Sequence, residues 1–400
     1  MITQTLSGGT TAPVSNQEAG LKVPYNWDIT LLERFGKINQ EPDTLLPIRE
    51  VYGADRYSLT GSGRGGNALS KREQSWSEHF SEAHRWGIKF NYLFNAISLA
   101  GKEWDKSFQD KFLSTVGQLV DCGVDIITVT NPRLTLLVKE KFPELEVSPS
   151  INNHLDSVER VRQLVNYMGI DRIMLDHRVS RNFKLVEEVH KAFPEIPIVV
   201  LVNESCLRDC VLQPFHQEYL GGISRMEYQN RTPPPDLCHL FCATEKLTDP
   251  AHCLKAPWLR PEDVKHLVAA GATLIKLAGR SKDSEWITNL VIAYAKGKYR
   301  GNVFQFVEKS GLSSPEWEGY LGKKMPPARY QVDNKSLDGF ISPFLKGTVP
   351  CVKGEIGCGS CRWCYKWLHA VSEPPNKVER LGDLGNLMKI VKSTEVALAA

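Results

Sequence analysis

Short apolar runs alternate with amphipathic stretches between residues 45 and 300. Short, nearly continuous apolar runs of this length are typical of buried strands. In the run at 87–95, apolar positions alternate with other residues, so every second side chain faces the same way. The pattern predicts seven strands, at residues 46–53, 87–95, 124–130, 145–150, 171–177, 197–203 and 273–279.

The stretches between the predicted strands have a helical period. In 105–123, for example, Phe108, Phe112 and Val116 share one face and Gly123 ends the pattern. Alternating strands and helices with apolar strands predict a parallel sheet covered by helices. A closed barrel fits better than a nucleotide-binding open sheet, because no Gly-x-Gly-x-x-Gly follows the first strand and no P-loop occurs. The predicted fold class is α/β, a TIM-like (β/α) barrel with a small C-terminal extension.

The chain divides into three predicted parts. Residues 1–42 are expected to form an N-terminal arm, partly disordered, because small and polar residues dominate its first 18 positions. Residues 43–300 are expected to form the barrel, which carries cysteines at 206–242. Residues 301–400 form a C-terminal extension with further cysteines at 351–364.

The composition is that of a globular protein, with 42% hydrophobic and 24% charged residues, which excludes a largely disordered chain. No apolar run of about 18 residues occurs, so we expect no membrane span. The polar N-terminus does not resemble a secretory signal, and we expect a cytoplasmic protein. The net charge of +3 gives no support for nucleic-acid binding by bulk electrostatics, although a local basic groove stays open.

Eight of the ten cysteines fall into two groups with short spacing, which is what metal coordination requires. In a cytoplasmic chain these residues are not expected to form disulfides. The C-terminal group has tandem Cys-x-x-Cys spacing, which favours a [4Fe–4S] cluster. Structural zinc more often takes two separated hairpins, but zinc stays an alternative. The members of this group are Cys351, Cys358, Cys361 and Cys364.

The central group consists of two Cys-x-x-x-Cys pairs. One helical turn separates the members of each pair, so both sulfurs can point the same way, and a second cluster is predicted here. Four buried apolar thiols are the alternative, since unliganded cysteine is often buried. Cys122 is expected in the core, and Cys253 could replace one of the four. The members of this group are Cys206, Cys210, Cys238 and Cys242.

Polar side chains cluster where the predicted strands end, and in a barrel those ends form the active-site face. Glu204 is predicted to carry a proton beside a cluster, and Lys276 with Arg280 to hold a carboxylate or phosphate. Simpler roles stay open, such as a helix cap, an ion pair or a satisfied structural histidine. The predicted catalytic residues are Glu204, His177, Lys276 and Arg280, and the predicted substrate-binding residues are Arg64, Asn95, Asn203, Lys276 and Arg280.

Four segments, in order, resemble the peptidase U32 family: 123–154, 168–189, 197–210 and 269–299. The last is similar to the family's Gly-Val-Asp-x-x-Lys-Ile-Glu-Gly-Arg block and its following helix. The resemblance covers about residues 45–300. It implies a β/α barrel with a cysteine-bound iron–sulfur cluster. It also implies a relationship to oxygen-independent hydroxylases of the ubiquinone ring, ribosomal RNA and transfer RNA, with prephenate implicated as oxygen donor for some.

The chain departs from the family pattern in three places. Cys210 lies closer to Cys206 than the family's second ligand usually does. Ala278 stands where the family block has a glutamate. The cysteines at 351–364 lie outside the family core and suggest a two-cluster subfamily. No Ser–His–Asp order and no His-Glu-x-x-His motif support peptidase chemistry.

The leading hypothesis is an iron–sulfur enzyme for oxygen-independent hydroxylation, or a related redox modification, of a small anionic metabolite or cofactor precursor. Two [4Fe–4S] clusters are expected, or one such cluster and one zinc ion. The expected partners are a small anionic substrate, an electron donor and, as an option, a heteromeric iron–sulfur partner. The alternatives are an RNA-modifying hydroxylation factor and a non-catalytic electron-transfer or scaffold subunit. A U32-type peptidase is the least favoured.

Overall fold

Eight short parallel strands form the centre of the structure, a computed structural model that describes residues 19–64, 72–230, 236–307, 312, 315–325, 328–353, 358 and 360–393. They are hydrogen-bonded in the order β5-β4-β3-β2-β1-β8-β7-β6. The two outer strands of this order adjoin, since the Asp171 N–H donates to the Val147 carbonyl at 3.0 Å. The ring is therefore a nearly closed TIM-like barrel, as the sequence predicts. The strands are β1 (Gly20–Pro24), β2 (Ile48–Gly53), β3 (Lys89–Phe94), β4 (Ile126–Val129), β5 (Glu146–Pro149), β6 (Ile173–Met174), β7 (Ile198–Leu201) and β8 (Leu274–Lys276).

Helices follow the strands and cover the outside of the ring. Their apolar faces pack on the outward-facing strand residues. The helices up to the end of the barrel are α1 (Thr30–Gln40), α2 (Trp76–Arg85), α3 (Lys106–Asp121), α4 (Pro132–Lys141), α5 (Val158–Met168), α6 (Phe183–Ala192), α7 (Gln213–Gly222), α8 (Leu237–Thr248), α9 (His252–Lys255), α10 (Lys265–Ala269) and α11 (Ser284–Ala295). The insertion after β7, where the central cysteines lie, contributes α7, α8 and α9.

The seven predicted strands are all present, but the barrel has an eighth that the sequence analysis assigns to the N-terminal arm. Strand β1 pairs with both β2 and β8 and completes the ring. The barrel therefore begins at Gly20 rather than near residue 43. The hydrophobic pattern does not reveal this strand, because it is short and has a lysine, Lys22, at its centre. Residues 1–18 of the predicted arm lie outside the described residues.

Alternation along the strands separates two environments. On β3, Phe90, Tyr92 and Phe94 join the main apolar core between the barrel and its helices. Asn91 and Leu93 point the other way, into the lumen of the barrel. The outward face of β3 is thus apolar, whereas Asn91 places a polar group in the lumen.

A buried charge network occupies the lumen. The Lys22 ammonium lies 2.5 Å from Glu50, and Arg172 pairs with Glu50 and, at 2.7 Å, with Glu146. The Asn91 side-chain amide donates to Glu50 at 2.9 Å. Burial alone would raise the pKa of Glu50, but Arg172 and Lys22 lower it to about 2. Every charge in this network therefore has a counter-charge, which a buried ion requires.

The C-terminal extension folds back onto the helices of the insertion. It contains α12 (Pro315–Leu321), α13 (Ser342–Leu345), α14 (Pro350–Lys353), α15 (Lys377–Lys392) and an antiparallel pair, β9 (Gln331–Val332) with β10 (Val371–Ser372). Helix α15 packs against α8 and α12, and the Tyr330 hydroxyl donates to the Lys246 carbonyl at 3.0 Å. The predicted small C-terminal extension is therefore packed onto the barrel unit.

In the described part of the chain, no helix combines the length and the apolar character needed to cross a bilayer.

The network makes the barrel's stability depend on Glu50. We expect Glu50→Gln to lower the free energy of unfolding by about 3–5 kcal/mol at pH 7, because it leaves Lys22 and Arg172 buried with too little negative charge. Because the pKa of Glu50 is lowered on folding, its stabilising effect is present above the ordinary value of 4.5 and is lost as the pH falls toward about 2. Denaturant titrations from pH 7 to pH 3 should show the gap between wild type and variant narrowing.

The matched control is Glu33→Gln, which removes an exposed pair with Lys37 on α1. Because solvent screens an exposed pair, its cost should be small beside that of Glu50→Gln at every pH. Equal costs for the two variants would contradict the role assigned to the network.

Candidate functional site

A cavity of about 630 Å³ opens at the carboxyl-terminal ends of the strands. Its walls come from the barrel lumen, from the loop after β2 and from α7. Of the seven predicted catalytic and substrate-binding residues, six line it: Arg64, Asn95, His177, Glu204, Lys276 and Arg280. The tertiary structure thus brings together residues that lie more than 200 positions apart in the chain.

Lys276 lies at the end of β8 with its side chain in the lumen. Leu274 and Ala278 share this face, as strand alternation requires. The residue is only 8% exposed, and its ammonium sits 4.6 Å from the centre of the Tyr52 ring. It makes no hydrogen bond or ion pair with any residue that the structure describes. Burial, together with the charges of Lys22 and Arg280, lowers the pKa of Lys276 well below its ordinary value.

Arg280 follows Lys276 across a turn that needs a glycine. Gly279 has φ +142, and a Cβ there would lie 2.4 Å from the Trp286 ring. The Arg280 side chain is 5% exposed, and its Nη1 has no hydrogen-bond partner among the described residues. Burial lowers the pKa of Arg280 to about 10, so the guanidinium stays charged at neutral pH. A buried guanidinium without a partner favours an anionic ligand.

Glu204 is the carboxylate of the cavity, and Arg64 is its partner. The Arg64 Nη2 donates to Glu204 Oε1 at 3.2 Å, and Glu204 is 7% exposed. The loop that carries Arg64 is held by the Gly63 N–H, which donates to Asn95 Oδ1 at 3.1 Å. Glu204 is thus oriented toward Arg64 rather than toward Lys276. Residues 65–71, including the rest of the glycine-rich loop, lie outside the described residues.

Asn203 has a different place from the one predicted. It is fully buried and does not line the cavity. Its side chain donates to the Ala278 and Phe306 carbonyls, each at 3.0 Å, and accepts from the Ala278 N–H at 2.6 Å. These bonds occupy its amide and fix the end of β8, so Asn203 positions the strand that carries Lys276. The polar end of the strand indicated where Asn203 lies, but not the direction in which its side chain points.

His177 connects the cavity with the central cysteines. It is 3% exposed, and its Nδ1 lies 3.4 Å from Asp176 Oδ1. Burial opposes a charged imidazole, but the neighbouring Cys206 thiol and the charge of Asp176 raise the pKa of His177 above its ordinary value. The cavity and the Cys206 thiol therefore share one wall.

Several residues of the cavity were not predicted from the sequence. Tyr52 is the most important, because its ring lies beside both Lys276 and Arg280 and its hydroxyl donates to the Leu277 carbonyl at 2.6 Å. Its place at the end of β2, two positions after Glu50 on the same face, was a signal that could have found it. Asn152 and Gln217 come from loop and helix positions that carry no such signal.

The four central cysteines come from three places around α7 and α8. Cys206 follows β7, Cys210 precedes α7, and Cys238 and Cys242 lie one turn apart on α8. Cys210 is close enough to Cys206 and Cys242 for their charges to interact. Burial, Asp236 and the neighbouring thiols raise the pKa of Cys238 to about 11.

Within the described ranges, no three or more His, Cys, Asp or Glu side chains are arranged around one metal-ion position. A [4Fe–4S] cluster binds each thiolate through a separate iron, so its four ligands surround a cluster rather than one ion. In the central group, Cys206 and Cys242 act on the pKa of Cys210, and Cys210 and Cys242 act on that of Cys238. Thiols that lie this close together fit such a ligand set. The nature of the bound group stays a prediction.

The two remaining cysteines differ. Cys253 is fully buried in the main core, near Cys242 and Lys246, and burial raises its pKa to about 12. Cys122, which the sequence predicts in the core, lies at the end of α3 and is only partly buried against the same core.

The C-terminal cysteines surround a small cavity of about 330 Å³. All four line it, together with mainly apolar and aromatic side chains. Burial raises the pKa of Cys364 to about 12, while the Arg181 charge acts in the opposite direction. A thiol-lined, apolar space with a cation beside it fits a negatively charged iron–sulfur cluster. Residues 354–357 and 359 of this loop lie outside the described residues.

The two cysteine groups adjoin in space although more than 100 residues separate them in sequence. Arg208, between Cys206 and Cys210, donates to the Cys351 carbonyl at 2.7 Å. The charges of Arg208 and Asp209 also act on Cys358. The loop of the central group is therefore in direct contact with the C-terminal group.

Comparison with known proteins gives the relationships of the chain. The family model described as peptidase family U32 matches residues 71–299. An uncharacterized protease of Methanocaldococcus jannaschii is 25% identical over 280 residues, which are 70% of this chain and 77% of that protein. A solved U32 peptidase structure covers 68% of this chain and 97% of its own chain, with 14% identity and a TM-score of 0.46.

A second kind of relative matches a shorter part. The tRNA hydroxylation protein P of Escherichia coli is 26% identical over 123 residues, 31% of this chain. Its counterpart in Haemophilus influenzae is 24% identical over 122 residues, 30% of this chain. In both, the match spans 25% of the relative's length.

The cavity predicts a binding defect that can be measured without knowing the natural ligand. With malonate and inorganic phosphate as probes, we expect Arg280→Met to weaken binding by roughly 1.5–3 kcal/mol, the value of hydrogen bonds to a charged group. Isothermal titration calorimetry gives the dissociation constants. Lys282→Met is the control, because Lys282 lies two residues further on and does not line the cavity. Equal binding by wild type and Arg280→Met would contradict an anion site here.

Proposed function

Because the chain belongs to the peptidase U32 family, we propose that it is an iron–sulfur enzyme that hydroxylates, or otherwise redox-modifies, an anionic substrate at the carboxyl-terminal mouth of its barrel. One observation carries the proposal. The cavity that holds Lys276 and Arg280, neither of which forms an ion pair with a described residue, shares the His177–Cys206 wall with the central cysteines. A substrate bound by those cations therefore lies next to the predicted cluster.

Two sets of residues are proposed to hold [4Fe–4S] clusters. Cys206, Cys210, Cys238 and Cys242 form the set beside the cavity, and Cys351, Cys358, Cys361 and Cys364 form the other. When bound, such clusters supply one-electron chemistry. The contact of Arg208 with Cys351 supports electron transfer between the two sets within one chain. One cluster and one zinc ion remain the alternative composition.

The side chains of the cavity have separate proposed tasks. Arg280 binds the anionic group of the substrate, and the Lys276 amine lies beside it. Glu204, held by Arg64, is the group that accepts or donates a proton. His177 separates the substrate from Cys206 and can hold a proton between them. Asn203 keeps the end of β8 in place and so fixes the position of Lys276.

Peptidase activity has less support from this cavity. Its lining residues within the described ranges include no serine, threonine or cysteine that could serve as a nucleophile. The word protease in the name of the Methanocaldococcus relative therefore does not transfer readily to this chain.

A second candidate function is hydroxylation of RNA. The similarity to tRNA hydroxylation protein P favours it. The cavity is open to solvent at its mouth, and one nucleotide turned out of its strand would bring both a base and a phosphate to the cations. The small-metabolite and RNA versions share the same anion site and differ in what lies outside the mouth.

The two-cluster proposal predicts how iron is distributed. Anaerobically purified protein should contain about eight iron atoms per chain, four per cluster. Cys206→Ser and Cys361→Ala should each lose about half of that iron, because each removes one ligand of one cluster. Iron analysis and electron paramagnetic resonance of the reduced proteins measure this. Cys122→Ser is the control and should keep all of it, whereas stoichiometric zinc and no iron in the wild type would contradict the redox proposal.

The reaction itself is tested in the host organism. A strain lacking this protein, grown without oxygen, should lose a product that carries one additional oxygen atom, detected by mass spectrometry of small metabolites and of nucleosides from total RNA. Wild type and Cys122→Ser should restore the product, and Glu204→Gln and Cys206→Ser should not. Loss confined to a nucleoside selects the RNA version, and loss confined to a metabolite selects the other. Unchanged profiles in both fractions would refute the proposed function.

A further inference from the structure

Lys276 differs from the other buried lysines of the barrel. Lys22 has Glu50 as its counter-ion at 2.5 Å, and Lys246 donates to the Ser205 hydroxyl at 3.2 Å. Lys276 is 92% buried, faces a cavity open to solvent, and has no hydrogen bond or ion pair within the described part of the chain. Its amine therefore points at the space that a ligand would fill.

We propose that Lys276 is a nucleophile that forms an iminium with the carbonyl group of a 2-oxo acid bound in this cavity. The inference rests on the proposed function in one respect, namely that an anionic ligand occupies the cavity, and it names the chemical class of that ligand.

A lysine attacks a carbonyl only as the neutral amine, and the surroundings of Lys276 favour that form. The Lys276 side chain is largely withdrawn from water. Two other cations, Lys22 and Arg280, lie near enough for their charges to act on its amine. Desolvation and a neighbouring cation are the two known ways to activate a lysine amine. Glu204 and Glu50 act in the opposite direction with smaller effect. The pKa of Lys276 is accordingly lowered well below its ordinary value.

The reaction is balanced by the groups in the cavity and by water. The nitrogen lone pair of Lys276 forms a bond to the carbonyl carbon, and the carbonyl π electrons move to the oxygen, which takes up a proton. The amine proton is lost, the C–O bond breaks, and the hydroxyl leaves as water after protonation. The product is a C=N⁺ iminium with one water released and one proton consumed overall. Glu204, fixed by Arg64 at 3.2 Å, is the group placed to relay these protons.

The second functional group of the ligand follows from Arg280. Its guanidinium and the Lys276 amine lie beside the same ring, that of Tyr52, at 5.9 and 4.6 Å from its centre. An amine that adds to a carbonyl and a guanidinium that binds a carboxylate in the same part of a cavity select a ligand with both groups close together. A 2-oxo acid has its carboxylate on the carbon next to the carbonyl.

Reductive trapping tests the inference directly. The full-length protein is incubated with pyruvate, the simplest 2-oxo acid, and sodium cyanoborohydride, which reduces an iminium to a stable secondary amine. Intact-mass measurement should show one reduced pyruvyl group per chain, and peptide mapping should place it on Lys276. Lys276→Ala should lose the adduct, whereas Lys282→Ala, which changes a lysine outside the cavity, should keep it.

A second comparison tests the role of Arg280. Removing the Arg280 charge also raises the pKa of Lys276, and trapping with acetone, which has no carboxylate, measures that loss of activation alone. In Arg280→Met the rate of trapping with pyruvate should fall at least about tenfold more than the rate with acetone, since a charged hydrogen bond to the carboxylate is lost as well. Equal rates with pyruvate in both proteins would overturn the assignment of a 2-oxo acid.

The outcome also separates this inference from the proposed function. If wild type binds pyruvate in calorimetry but gives no adduct at Lys276, the iminium is refuted and the anion site stands. If wild type gives neither binding nor adduct, both are refuted. An adduct distributed over surface lysines, unchanged by Lys276→Ala, refutes the iminium as well.

Discussion

A charge inside a barrel needs an opposite charge, and this protein meets that requirement in one layer of its lumen only. Glu50 forms ion pairs with Lys22 and Arg172, and Arg172 forms a second ion pair with Glu146. This closed network ties β1 to β2 and to the residues before β6, on opposite sides of the ring. One layer further toward the carboxyl ends of the strands, Lys276 and Arg280 have no ion-pair partner among the described residues.

The contrast between the two layers gives the cavity its chemistry. Glu204 could have neutralised Lys276, but Arg64 holds that carboxylate instead. Ala278, the next residue on the same face of β8, has no charge to offer. Lys276 and Arg280 therefore remain available to a ligand, while Tyr52 shields them from water on one side. The stability of the barrel comes from the balanced layer, and the proposed binding site exists because the adjacent layer is not balanced.

The cysteines extend this arrangement outward. The insertion after β7 places Cys206 at the wall of the cavity, and the C-terminal extension folds over the insertion so that Cys351 meets Arg208. The proposed path from the outer cysteines to the substrate runs through residues that are in contact at each stage. This explains why an extension outside the matched family region is packed so closely on the barrel unit.

Local pattern was enough to predict much of this protein. Apolar alternation located seven strands, and cysteine spacing predicts two ligand groups, because both signals depend only on neighbours along the chain. Alternation also places Lys276 and Ala278 on one face of the strand, but only the structure shows that this face lies toward the lumen. Strand β1 was missed because a five-residue strand around Lys22 makes sense only once Glu50 lies opposite it.

What the tertiary structure decided were the pairings between distant residues. Asn203 turned out to brace β8 rather than to face the substrate, and Glu204 turned toward Arg64, 140 positions away. The meeting of Arg208 with Cys351 is of the same kind. The amino-acid sequence determined which charged and sulfur-bearing groups exist and which face of a strand they occupy. Which of them neutralise each other depends on distances across the closed barrel, and these arise only when the eight strands and the C-terminal extension have packed together.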